Sequence, residues 1–168
     1  MNQPTDLYAA RLNIDYPENL NRVTISGFEL RGDFALAKNW RATAAYAHVE
    51  GRSNNDNLDT IDPDKFVGSL QYTPSGTWGL GGRMTAVDRK EKAQSGAGVI
   101  PGGYTVFDLT GWYQPTKSTQ ISLGLYNVFD KKYVRWADVR DLAASSAATV
   151  DAYTQPGRNF TINVVHNF

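Results

Sequence analysis

Histidine and aspartate are the residue types in this chain best suited to hold a metal ion or a haem iron. His48 and His166 each offer an imidazole, and Asp56, Asp59, Asp62 and Asp64 crowd one polar stretch that could surround calcium. A calcium loop sets its oxygens in an ordered run about an internal glycine. These aspartates have neither feature, so the spacing predicts a solvated loop. Gly96-Ala97-Gly98-Val99-Ile100-Pro101-Gly102-Gly103 is like a phosphate loop only superficially, since no Lys-Ser or Lys-Thr ending and no helix follow. Cysteine is absent, which excludes disulfides and thiolate metal sites. No Ser-His-Asp arrangement and no carboxylate pair can be argued from the spacing, so the sequence points to no enzyme. The more informative charges are Glu29, Arg31, Asp33, Arg41, Lys65, Arg83 and Asp108. They need partners or water: they either pair with one another or hold a separate domain packed against them.

The elements that carry them are strands. From Phe160 to the end, Phe160, Ile162, Val164, His166 and Phe168 share one face; apart from Val165, the other is polar (Asn159, Thr161, Asn163, Asn167). The same period of two predicts strands over 22–36, 40–50, 65–73, 77–88, 104–114 and 119–127. In the first, Phe28, Leu30, Phe34 and Leu36 oppose Gly27, Glu29, Arg31 and Asp33. In the second, Trp40, Ala42, Ala44 and Tyr46 oppose Arg41, Thr43 and Ala45. Tyr8–Ile14 also alternates and is a further candidate. Three short turns (37–39, 74–76, 115–118) interleave with three long loops (51–64, 89–103, 130–157).

Composition selects the solvent for these strands. Nine Tyr, seven Phe and four Trp are many for a chain of negative mean hydropathy. Aromatic but not greasy fits strands of which every second residue meets lipid and the rest a wet lumen. No apolar run approaches the roughly 18–20 residues of a membrane helix. Seventeen Lys plus Arg cancel seventeen Asp plus Glu, which argues against a nucleic-acid binder. The fold expected is an all-β, antiparallel, up-and-down transmembrane barrel. A lipocalin-like soluble barrel has the same alternation, but it buries its aromatics inward and does not sort them by loop length.

Short periplasmic turns and long external loops fix the orientation. The last strand then descends, leaving Phe168 at the periplasmic rim beside Trp40, Tyr72, Trp78 and Tyr113. Tyr46, Tyr104, Phe129, Tyr133 and Trp136 are expected in the outer girdle. Val23 and Ile25 break their strand's alternation, which predicts that its first turns rise clear of the bilayer. His48 and His166 face outward at opposite ends, so they share no site; an amphipathic interfacial role is the plainer reading of each.

Three stretches resemble the C-terminal barrel of TonB-dependent outer-membrane receptors. Ile25-Ser26-Gly27-Phe28-Glu29-Leu30 resembles a strand motif about seven strands from the end of those receptors. Tyr126-Asn127-Val128-Phe129-Asp130-Lys131-Lys132-Tyr133 resembles their penultimate-strand signature. Pro156-Gly157-Arg158-Asn159-Phe160 through Phe168 resembles their closing strand. Within the family, Trp136-Ala137-Asp138-Val139-Arg140 and Asp151-Ala152-Tyr153-Thr154-Gln155-Pro156 look most like the haem and haemoglobin receptors.

The resemblance implies the last seven or eight strands of a 22-stranded barrel in the Gram-negative outer membrane, with residues 1–168 the C-terminal part. It also implies a plug and earlier strands supplied by the rest of the receptor, and a TonB complex engaged through the N-terminal part. Phe160 and Phe168 would then form the signal read by the barrel assembly machinery. The cargo implied is haem, a haem-carrying protein or another iron source such as a siderophore. The family's haem-ligating histidines have no counterpart motif here, so no bound cofactor is assigned. Trp136, Asp138, Arg140 and Tyr153 in the longest loop are the candidate ligand contacts. Met1–Asp6 lacks the basic patch and apolar core of a signal peptide, which predicts a mature form or a piece of a longer protein.

The alternative is a self-contained eight-stranded barrel with a structural or adhesion role, counting Tyr8–Ile14 as a strand. Such an interior must be filled by paired side chains. Seven inward charges interspersed with Gly79, Gly81, Gly124, Ser69 and Thr43 look under-filled for that, and favour the wall of a wide, plugged barrel.

Overall fold

Alternation along the chain becomes one antiparallel sheet. The computed structural model describes residues 22–54, 56–94 and 96–168. Its strands are β1 (Val23–Ala37), β2 (Trp40–Ser53), β3 (Asp56–Asn57), β4 (Lys65–Ser75), β5 (Trp78–Val87), β6 (Tyr104–Thr116), β7 (Thr119–Tyr126) and β8 (Asn159–His166). They lie in the order β1-β2-β4-β5-β6-β7-β8, with β3 folded back on the end of β2. Each main strand pairs antiparallel with its neighbour in the chain, as direct hairpin connections require.

Among the described residues the only buried apolar side chains are Val106, Trp136 and Val139. Phe28, Leu30, Phe34, Leu70, Leu80, Leu109, Leu123, Phe160, Ile162 and Val164 stand bare on one face. A sheet in water would cover such a face with a second layer. A sheet in lipid leaves it bare and turns its polar face inward. No helix among the described residues is long and apolar enough to cross a membrane. The strands do the crossing. About 9–11 residues span a bilayer, so β1 at 15 and β2 at 14 run past it. Val23 and Ile25 lie on that excess.

Aromatic rings line the short-turn end in two groups. Trp40 and Tyr72 rings lie 4.6 Å apart, Tyr72 and Trp78 5.7 Å, Trp78 pairs with Tyr113, and His166 meets Phe168 edge-on at 4.8 Å.

Three expectations change. First, β2 continues to Ser53, and β3 occupies ground assigned to loop. Second, the longest loop carries a helical turn, α1 (Trp136–Val139), and a 3-10 helix over Ala144–Tyr153; neither is long or amphipathic enough to leave a period in the sequence. Third, the inward glycines are seats rather than gaps. A Cβ on Gly79 would lie 2.6 Å from Trp112 Nε1, and one on Gly124 2.8 Å from the Tyr126 hydroxyl. The sheet is open, with β1 and β8 each paired on one side only, so the described residues form no eight-stranded closed barrel, in keeping with the expected section of a wider barrel. Tyr8–Ile14 lies outside the described residues.

Candidate functional site

The register gathers all seven predicted charges on the polar face. Asp33 opposes Thr43, Thr43 opposes Ser69, Ser69 opposes Arg83, and Arg83 opposes Asp108, one row across five strands. Within it Thr43 and Ser69 share a hydroxyl–hydroxyl hydrogen bond of 2.6 Å. The row above carries Arg31 with Ala45 and Val67, and the next Glu29, Ala47 and Lys65. Arg41, one row below, meets Asp33 at 3.3 Å. Arg83 and Asp108 oppose one another across β5 and β6 without an ion pair among the described residues, and Asp108 accepts the backbone N–H of Asn127 at 2.9 Å.

Above the wall, three loops interlock. Trp136 is 3% exposed, and its indole N–H donates to the Asp59 carbonyl at 2.7 Å. Lys90, 7% exposed, donates to the Ile61 carbonyl at 2.6 Å and lies over the Trp136 ring. Burial pushes the Lys90 ammonium below its ordinary value, against the pull of Asp59, Asp62 and Asp64. The loops after β2, β5 and β7 thus meet at one joint. Trp136 is packed here rather than standing in the outer girdle.

Asp138 is bound by the Arg135 guanidinium at 2.9 and 3.1 Å and by the Gln155 amide at 2.9 Å. That contact keeps Arg135 charged to higher pH. Asp138 and Tyr153 line one shallow recess; Arg140, 3.5 Å from Asp141, lines another. So the four loop candidates form no single cluster. Asp138 and Tyr153 share one recess, Arg140 lines another, and Trp136 is buried.

Two arrangements escape a reading by sequence. Tyr104 falls on the polar face and stacks on Tyr133 at 4.2 Å, so neither belongs to a lipid-facing girdle; one step of parity decided this, since Thr105 and not Tyr104 shares a face with Phe107. His48 has Asp64 at 2.7 Å and Glu50 at 3.5 Å, and Asp64 also accepts the Tyr46 hydroxyl. Glu50 is in turn paired with Lys92. The clue was that Tyr46 and His48 share a parity, but their partner lies across a loop. Of the four loop aspartates, Asp59 accepts the Gln94 N–H and Asp64 binds His48, so they point to separate tasks. Among the described residues no three acidic or histidine side chains converge to hold a metal. His166 bonds Thr119 at the far end.

An antiparallel meander with one bare apolar face and a charged opposite face is a section of membrane β-barrel wall. The chain belongs to the TonB-dependent receptor β-barrel family: the family model described as "TonB dependent receptor-like, beta-barrel" matches residues 2–128. This is a family of outer-membrane receptors and transporters. Transferrin-binding protein A of Neisseria gonorrhoeae is 27% identical over 79% of this chain and 18% of its own length. Hemoglobin-binding protein A of Haemophilus influenzae is 25% identical over 94% of this chain and 19% of its own. Among solved structures, the copper transporter OprC superposes with a TM-score of 0.72 at 28% identity, over 87% of this chain and 24% of that one. The chain spans about a fifth of the length of the curated relatives it matches.

Proposed function

We propose that this chain is part of the wall and external loop layer of an outer-membrane receptor that imports haem or another iron source, driven through TonB. The observation that carries the reading is the charged inner face set against a bare apolar outer face, on a chain whose relatives are named for transferrin and haemoglobin. Arg140, Asp138 and Tyr153 would meet the iron-bearing partner, with Trp136 holding their loop in place. The wall charges would face the plug supplied by the rest of the receptor. Phe160 and Phe168, both exposed on the closing strand and its end, would present the assembly signal.

The test is growth of a strain lacking the receptor that carries this segment, on haem, haemoglobin, transferrin iron or a ferric siderophore as sole iron source. Loss of growth on at least one of them, matched by the loss seen without TonB, supports the reading. Unimpaired growth on all four, or a defect confined to copper, sinks it.

A further inference from the structure

Both nitrogens of the His48 ring face carboxylates. Nδ1 lies 2.7 and 2.9 Å from the two oxygens of Asp64, and Nε2 lies 3.5 Å from Glu50 Oε1. The two carboxylates belong to different parts of the fold. Glu50 follows His48 on the same face of β2, with Arg52 beyond it, whereas Asp64 ends the loop that leads into β4. The ring is largely enclosed: its side chain is 31% exposed, and the Phe28 ring of β1 lies at 5.6 Å. Tyr46, one step down β2, donates its hydroxyl to Asp64. From the segment after β5, Lys92 pairs with Glu50, and the Asp88 N–H donates to the Asp64 carbonyl at 2.9 Å. Asp62, Arg89, Lys90 and Glu91 line the same recess, with Lys90 turned to the Ile61 carbonyl.

A neutral imidazole carries one N–H and one lone pair, whereas the imidazolium carries two N–H groups. The neutral ring can therefore serve Asp64 or Glu50 but not both, and its other nitrogen turns a lone pair on a carboxylate. The protonated ring serves both, through charge-assisted bonds roughly twice as strong as neutral ones. We infer that His48 is a proton-operated latch that fastens the loop leading into β4 to the end of β2, tight while the ring is protonated and loosened when it is neutral. Histidine changes charge between about pH 5 and 8. Carboxylates ordinarily titrate below that window, and tyrosine and lysine above it. The latched loop makes use of the second proton and the open loop does not. The latch is therefore full at acid pH and fails as pH rises through the window. Lys92 already neutralises Glu50 in part, which lowers the strength of the latch but leaves its sign. The latch concerns how an external loop is held, so it stands whichever cargo the receptor carries.

Hydrogen exchange of the full-length receptor in detergent micelles, measured from about pH 5 to 8 and corrected for the intrinsic rate, tests the latch. Exchange at residues 58–64 should speed by about three- to tenfold across that range, as loss of a partly buried ion pair would give. Residues 66–72, held by strand pairing on both sides of β4, are the internal control and should not change. His48→Asn keeps a donor near Asp64 but cannot titrate, so it should flatten the rise. Glu50→Gln leaves His48 and Asp64 in place but removes the second carboxylate, so it should shrink the rise. No rise in the wild type, or a rise of equal size in His48→Asn, overturns the inference. Should His48→Asn fail to assemble, Glu50→Gln decides alone: an undiminished rise there overturns it. A receptor that shows the rise but fails every iron-source assay loses the iron reading and keeps the latch.

Discussion

Asn127 closes the longest loop at its base: its side-chain amide donates to the carbonyl of Pro156, 29 residues further on, at 3.2 Å. It stands in the left-handed region at φ 47° and is 5% exposed. The same amide donates to Lys131 O at 2.9 Å, and its oxygen accepts Lys131 N–H at 2.8 Å. Asp130, also left-handed at φ 54°, accepts the N–H of Arg158 at 2.8 Å. The stretch 126–133 and the stretch 156–160 are thus two halves of one clasp.

Asn127→Ala removes three hydrogen bonds and leaves the Lys131 and Pro156 groups without partners inside the clasp. Lys131 and Pro156 are exposed and can turn to water instead, so each lost bond costs about 0.5–1.5 kcal/mol net, and the loop base should loosen by roughly 1.5–4.5 kcal/mol. Hydrogen exchange of residues 128–158 in the full receptor should speed by about one to three orders of magnitude. Unchanged protection would mean the clasp is held by strand pairing alone.

Gly157→Ala should be damaging for a reason confined to one contact. Its Cβ would lie 2.6 Å from Asp130 Oδ1, so the carboxylate must swing away and release Arg158 N–H. In an Asp130→Ala background the clash is gone, and the cost of adding the alanine methyl should largely vanish. Strong non-additivity in this cycle is the expected outcome; equal costs in both backgrounds would show the strain lies in the backbone.

The clasp shows which parts of such a fold the sequence exposes. Strand identity and facing were readable because alternation is local: Phe160, Ile162 and Val164 announce one face without any partner. So were the polar-face charges, since parity alone places Arg31 and Asp33. The connections between loops were not readable. Trp136 reaches Asp59 across 77 residues, and Asp64 reaches His48 across 16, through loops with no period to follow. Tyr104 was misplaced although its parity was legible, since it shares the polar face with Val106 and Asp108.

Trp136→Phe should uncouple the loops while leaving the strands intact. Phenylalanine keeps most of the packing but strands the Asp59 carbonyl and weakens the contact with Lys90. A loss of about 1–2 kcal/mol is expected, read as faster exchange in residues 58–62 as well as 133–140. Equal exchange at 58–62 in wild type and variant would show that the loops move independently.

Lys90 gives the joint a pH dependence of definite sign. Burial is the main cause of its lowered pKa, so the closed loops bind its proton less readily than the open ones do. Between that lowered value and the open-state value near about 10.4, the open state therefore carries more protons. Closed-loop stability should then rise with pH across that window and level off above it. Lys90→Met keeps the stem against Trp136 but cannot titrate, so it should flatten the slope. Exchange at residues 58–62, measured from pH 8 to 10.5 and corrected for the intrinsic rate, separates the two. A slope of the same size in Lys90→Met would assign the pH dependence to another group, such as Tyr133, whose hydroxyl is pushed up by burial.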